Sequence, residues 1–392
     1  MQSWGFFPRV VGCLWVLLSG PDIITQDIQH EAMAINIEVP VRVFKGDVFI
    51  DDLTMNDFEV YEDGVVQKIE AVYLIKKTDI SREERSPEIK QAKKSFSPGT
   101  SRHFVLVFEI QDYLPKLEEA IHFFFETVIS DGDTLRVVTP IKAYSFKSRA
   151  LELIAKPTIA RQLIEKLRMD LVRANADYRS LLQDLKSIRE FEVDPDLKAM
   201  MYSTVLDRLK TLKCVEEKRL LDFAEVLKTE VGQKYVYIFF QKEIAPILGD
   251  GEASYSAPDD HIDKDFDVKK IERAFSDSTI SSHFIYITPL QTDKLLDVAE
   301  SKPMPGRNVQ WQEFSQDIYS AFRELAAATG GLTETSANPA HAFKKVVEAS
   351  ENYYLLYYTP KDYRPDGRFR NIKIVIKGKD YAVLHRSGYV AD

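Results

Sequence analysis

Carboxylates at alternate positions are simple oxygen ligands for a cation, and Asp263, Asp265 and Asp267 stand in that pattern. A helix–loop–helix calcium site also needs glycine at its sixth position and glutamate at its twelfth. Val268 and Ala274 occupy those positions, so the run reads as a solvated acidic loop. A second candidate follows the stretch Phe104 to Phe108, which is apolar at every residue and stops at Glu109-Ile110-Gln111-Asp112-Tyr113. An unbroken apolar run of this length is the pattern of a strand buried on both faces. Open α/β sheets hold ligands just beyond the carboxyl ends of such strands. Glu109, Gln111, Asp112 and Tyr113 are therefore candidate partner-binding residues. Lys242 and Glu243 take the equivalent place after the apolar run Tyr235 to Phe240.

Other chemistry has little support. The chain contains no Gly-x-Ser-x-Gly, no His-Glu-x-x-His and no phosphate loop, and its seven histidines do not cluster at ligand spacing. Thr329-Gly330-Gly331 reads as a helix cap rather than a dinucleotide loop. A formal net charge of −9 argues against nucleic acid, whose phosphates need a basic face. No catalytic residue and no enzyme activity are expected.

The elements that must carry these residues follow from periodicity. Ile35, Ile37, Val39, Val41 and Val43 alternate with other residues, and Asp63-Gly64 suits a tight turn between Phe58–Tyr61 and a strand around Ile69–Leu74. Residues 33–77 thus form a small β module. Residues 78–100 are charged and carry Pro and Gly, the composition of a linker. Strands and helices alternate over 101–350, with a helical insertion at about 157–230 in which Leu163, Leu167, Leu171, Leu181, Leu185 and Ile188 form an apolar stripe broken at Asp194-Pro195. Residues 245–270 read as an acidic, irregular insertion, and 351–392 as a C-terminal β extension. Several wholly apolar strands alternating with helices imply an α/β fold, a mostly parallel Rossmann-like sheet flanked by helices.

At the N-terminus, Arg9 precedes the apolar stretch Val10 to Leu18, which is followed by Ser19 and Gly20. The stretch is too short to span a bilayer and reads as a signal peptide over residues 1–25. Removing it would leave Cys214 as the single thiol and no internal disulfide. Cys214 lies in an amphipathic helical stretch and reads as a buried structural residue.

Motifs in both parts of the chain resemble one family. INIEVPVRVFKGDVFIDDLTMNDFEVYEDGVVQKIE is similar to the Ig-like N-terminal module of the bacterial VWFA-related proteins, well populated in Acidobacteria. HFVLVFEI resembles the first strand of a von Willebrand factor A domain, GQKYVYIFFQKEI its central strand, and AAATGGLTE its penultimate βα region. The Tyr-rich strand and Arg-x-Gly-Tyr ending of residues 353–390 resemble the family's C-terminal signature.

The resemblance implies a metal-ion-dependent adhesion site beyond the first strand, built from Asp-x-Ser-x-Ser, a Thr from a later loop and an Asp after the central strand. Here Glu109, Gln111 and Tyr113 fall on the first motif, and Gln241-Lys242-Glu243 on the segment of the last Asp. Magnesium demands near-ideal octahedral oxygen geometry. A bulky amide, a phenol and a nearby ammonium disfavour it, so a degenerate, metal-free site is expected and no cofactor. A different cation site using Asp112 and Glu243 is the remaining alternative. The resemblance implies an exported, periplasmic or extracellular protein that binds a protein partner, with no membrane span in the mature chain. The alternative is a structural or assembly component of the cell envelope in which the A-like domain is a scaffold.

Overall fold

The computed structural model describes residues 35–87, 96, 98–110, 113–211, 215–241, 244–247, 267–288, 310–313 and 316–392. The expected signal peptide, Cys214, Asp263 and Asp265 lie outside the described residues, as do Gln111, Asp112, Lys242 and Glu243. No helix among the described residues is long and apolar enough to cross a membrane.

The fold is mixed α/β. The N-terminal strands are β1 (Ile37–Lys45), β2 (Val48–Phe49), β3 (Phe58–Glu62), β4 (Val65–Gln67), β5 (Ile69–Lys76) and β6 (Asp79–Arg85). The middle of the chain gives β7 (Arg102–Glu109), α1 (Lys116–Phe123), β8 (Thr134–Val138), β9 (Ala143–Phe146), α2 (Ser148–Leu153), α3 (Lys156–Glu190), α4 (Pro195–Thr211), α5 (Glu217–Lys228), β10 (Gln233–Gln241) and β11 (Ile244–Ile247). It continues through α6 (Val268–Asp277), β12 (Ile280–Ile287), β13 (Gln310–Glu313), α7 (Gln316–Ala328), β14 (Thr333–Ser336) and α8 (Pro339–Ser350). The last strands are β15 (Asn352–Tyr358), β16 (Phe369–Ile376), β17 (Ala382–His385) and β18 (Gly388–Val390).

The middle segment forms a six-stranded sheet in the order β9-β8-β7-β10-β12-β14, parallel except for the edge strand β9. Counted along the chain this is the order 3-2-1-4-5-6 of a doubly wound sheet, which reverses direction between β7 and β10. Both faces are covered. Phe104, Leu106 and Phe108 pack with Leu117, Ile121, Leu163 and Phe343 on one side. Val105 and Val107 pack with Leu220, Ile271, Phe275 and Phe322 on the other. Double burial is why β7 carries no polar residue between His103 and Glu109.

The outer strands form a β-sandwich. One sheet has the order β17-β1-β15-β5-β6, with β2 on β1, and the other β18-β16-β3-β4. Val39, Val41, Val60, Leu356 and Ile374 meet between them. Residues 351–392 are therefore not an extension. β15 lies between β1 and β5, so both ends of the described chain build one sandwich. Its tyrosines are buried on both faces, because Tyr353 and Tyr357 pack with Tyr73 and Phe96 on the side away from the sandwich core.

Two local expectations are corrected in the same way. Asp63 and Gly64 do adopt positive φ, 46° and 83°, but their turn leads into β4; the chain then crosses to the other sheet as β5. Within the expected linker, residues 79–85 form β6, whose charged side chains suit an exposed edge strand. The break at Asp194-Pro195 is a helix start, where Asp194 Oδ1 accepts the N–H of Asp196 at 3.0 Å. Leu163, Leu167 and Leu171 of α3 join the main core, whereas Leu181, Leu185 and Ile188 form a separate cluster with Val205 of α4.

Buried polar contacts fix the sandwich against the amino ends of the parallel strands. Arg386 donates to the carbonyls of Ser276 (3.0 Å) and Glu38 (2.7 Å), and Gln233 at the start of β10 donates to Glu38 Oε1 (3.1 Å). Gly330-Gly331 is more than a cap. A Cβ on Gly331 would lie 1.8 Å from the Ser282 carbonyl oxygen, so only glycine allows this approach. With the sandwich at the amino ends, the carboxyl ends of β7 and β10 lie at the opposite edge of the sheet.

Candidate functional site

At that edge β7 and β10 end side by side, with Phe240 opposite Glu109 in the parallel register. Glu109 is the first residue of the apolar run to leave the core and is half-buried. Its Oε2 accepts the backbone N–H of Val215 at 3.1 Å. Val215 is itself buried with Val105 and Val107, so the segment entering α5 lies over the end of β7. A carboxylate at this place thus caps backbone rather than pointing to an open edge.

Tyr113 is also engaged. Its hydroxyl donates to Glu118 Oε1 at 2.6 Å, and the Arg168 guanidinium carbon lies 5.6 Å from its ring centre. Burial first, and then the Glu118 carboxylate, raise its hydroxyl above the usual phenol pKa. The ring packs against the core beneath α1, where a serine would have left a free hydroxyl. Gln241 ends β10 as a buried residue. The structure therefore brings Glu109 and Tyr113 to the carboxyl edge but not onto a common ligand position.

A polar cluster that sequence reasoning missed stands at the end of β8. Asp170 of α3 is almost fully buried; its Oδ2 accepts the Tyr144 hydroxyl at 2.7 Å and lies 3.0 Å from Thr139 Oγ1. The Lys142 ammonium is 3.6 Å from the other oxygen. This cluster ties α3 to the β8–β9 hairpin. The available signal was an aspartate three residues after Leu167, inside the buried stripe of α3.

Glu109 Oε2 accepts an N–H, Tyr113 is turned onto Glu118, and among the described residues no group of three or more His, Cys, Asp or Glu side chains is placed to hold a metal. Asp267, the third aspartate of the acidic run, caps α6 by accepting the Lys270 N–H at 3.1 Å. Residues 244–247, which overlap the start of the insertion expected to be irregular at 245–270, form β11 and pair with β13 as an antiparallel ribbon. His103 bonds Thr134 and the Val231 carbonyl at the amino end of β7, and His122 is a surface residue near Glu126.

No protein-family model matches the chain, and no curated protein matches it. Among solved structures it is similar to the TFIIH p34 N-terminal domain, at 10% identity and a TM-score of 0.25, covering 63% of this chain and 96% of that one. It is also similar to the human COPII-coat protein Sec24c, at 6% identity and a TM-score of 0.26, covering 75% and 44%. Likenesses this faint carry no functional argument.

Proposed function

We propose that the chain is an exported, non-enzymatic protein-binding protein whose parallel-sheet part is von Willebrand factor A-like, with an adhesion site that works without metal. The observation that supports this reading is the strand order 3-2-1-4-5-6, whose point of reversal falls between Glu109 and Gln241. Ligands of doubly wound sheets bind at that point, beyond the carboxyl ends. The sandwich is packed at the other end of the strands, so it does not cover this edge. Recognition there would rest on loops held by a rigid sheet. The reading places the protein in the periplasm or outside the cell; the mature N-terminus of exported material should then begin after Leu18.

A second reading, a structural or assembly component of the envelope, is favoured by one feature. The outer sheet of the sandwich carries a hollow of about 370 Å³ lined by Tyr61, Gly64, Asn371, Ile372, Lys373 and Val375. Site-specific photo-crosslinking separates the two. A benzoylphenylalanine in place of Lys116, exposed at the start of α1, should capture a discrete envelope protein, and one in place of Tyr61 should not. Capture only from Tyr61 would overturn the first reading in favour of the second. Deleting residues 33–77 would not serve, because it strips β15 of both neighbours.

A further inference from the structure

The two sides of α3 differ along its whole length. The inner side carries Leu163, Leu167 and Leu171 into the main core, then Leu181, Leu185 and Ile188 against α4. On the outer side Met169, Val172, Ala176, Ser180 and Gln183 are all exposed. They stand three or four residues apart and so line one continuous face, an arc of about 80° opposite the leucine stripe. This is the spacing of a seam between paired helices.

The two ends of that face are alike in one respect and opposite in another. Met169 and Val172 leave 68% and 55% of their surface in solvent. Just beyond the other end, Phe191 and Val193 leave 51% and 39%. Single exposed apolar residues are ordinary, but pairs at both ends of one helix face are not scattered. The charges differ in sign. Around the first pair Lys166, Arg168 and Arg173 are exposed against the single exposed carboxylate of Glu165, since Asp170 is buried on Tyr144 and Thr139. From Phe191 to Leu197 the chain carries Glu192, Asp194 and Asp196, all exposed, and no cation. The residues between the ends are uncharged, and Ala176 and Ser180 are small.

We propose that the chain forms a two-fold dimer in which the outer face of α3 packs antiparallel on the same face of a second copy. A two-fold interface must be complementary to itself, so a patch basic at one end and acidic at the other is satisfied only head to tail. An axis beside Ser180 and Gln183 sets Met169 and Val172 of each copy against Phe191 and Val193 of the other. It also brings Arg168 and Arg173 to the other copy's Glu192 and Asp194. At 1.5 Å per residue the shared length from Val172 to the end of α3 is about 27 Å. The small residues at the crossing allow the close approach of well-packed helices. A parallel pairing would set arginine against arginine and carboxylate against carboxylate. The inference stands apart from the function proposed above, which concerns the carboxyl edge of the sheet.

Sedimentation equilibrium of the full chain should show a dimer at micromolar concentration. Arg173→Glu and Glu192→Lys each oppose like charges at two symmetry-related contacts, and each should raise the dissociation constant at least about tenfold. Both positions are exposed, so the circular dichroism spectrum should not change. Mixed in equal amounts, the two variants should form a heterodimer of nearly wild-type affinity, because each contact again joins opposite charges. Val172→Asp should give a monomer. A chain that stays monomeric at its highest soluble concentration, a dimer indifferent to both charge reversals, or variants that do not recover the dimer on mixing would each overturn the proposal.

Discussion

Replacing Glu109 separates two roles for the carboxylate at the end of β7. The structure gives it a backbone donor, the Val215 N–H at 3.1 Å, in a segment whose side chain is buried. Glu109→Ala leaves that N–H without this acceptor, a loss of about 2 kcal/mol within the usual range of roughly 1–3 kcal/mol. With an unfolding entropy of about 2.1 cal/mol/K per residue, a unit of roughly 360 residues loses about 3 °C of thermal midpoint. Glu109→Gln keeps a carbonyl acceptor of nearly the same reach and should recover most of the loss. A metal-binding role predicts otherwise. A cation at about a hundred times its dissociation constant would add about 2.7 kcal/mol to the wild type and nothing to either variant. The assay is differential scanning fluorimetry of the three chains, with and without magnesium, manganese and calcium. The expected result is a lowered midpoint for Glu109→Ala alone and no response to metal in any chain. A metal-dependent rise of several degrees in the wild type, lost in Glu109→Gln, would refute the reasoning.

Other perturbations test the packing. Asp133→Ala leaves the buried Arg102 guanidinium without its carboxylate and should cost about 3–5 kcal/mol, read as a fall in urea midpoint; a change under 1 kcal/mol would contradict the burial. Gly331→Ala places a methyl against the Ser282 carbonyl and should give insoluble or strongly destabilised protein, whereas soluble protein with an unchanged midpoint would contradict that approach. Ending the chain at Ser350 removes β15 from between β1 and β5, so residues 35–87 should lose protection from proteolysis and amide exchange together. Acid should destabilise the fold through His283 and His385, whose pKa values burial holds below the usual 6.5. The unfolded chain takes up those protons first, so the contribution of these two histidines is constant well above about pH 6.5 and is lost as the pH falls through and below it. Glu351 and Glu272, raised by burial, act in the opposite direction as the pH falls towards 4.5. His283→Phe should flatten the slope of urea midpoint between pH 7 and 5.5, and an unchanged slope would remove His283 as its source.

The sequence made the doubly wound part legible because burial leaves a simple mark there. β7 and β10 are covered on both faces and show unbroken apolar runs, and the stripe of α3 runs through Leu163, Leu167 and Leu171 and resumes at Leu181, Leu185 and Ile188 before Asp194-Pro195. The sandwich was harder to read, because its pairing is non-local. β1 and β15 are more than 300 residues apart in register, Ile37 lying opposite Tyr358, and alternation in one strand does not say which partner covers it. The same limit hid β6, whose alternation is masked by charges suited to an edge. At the carboxyl edge the positions of Glu109 and Tyr113 could be placed from the end of the apolar run. Their hydrogen-bond partners could not, since Val215 contributes only a backbone N–H and every non-proline residue has one.

The two ends of the parallel sheet carry opposite kinds of polar group. At the amino ends Arg42, Arg102, Lys234 and Arg386 are buried, and most of their donors end on backbone carbonyls or on one internal carboxylate. Arg42 and Arg386 bridge the two halves, so moving the sandwich would strand both of these charges, whereas Arg102 and Lys234 are held within the parallel-sheet half. At the carboxyl ends Glu109, Tyr113 and Asp170 are each satisfied within a few residues of the edge, two of them through α3 or the segment entering α5. The helices that lead away from the edge are thus held by the residues that end its strands. Loosening one contact, as in Tyr144→Phe beside Asp170, is therefore expected to alter the edge before it alters the junction with the sandwich.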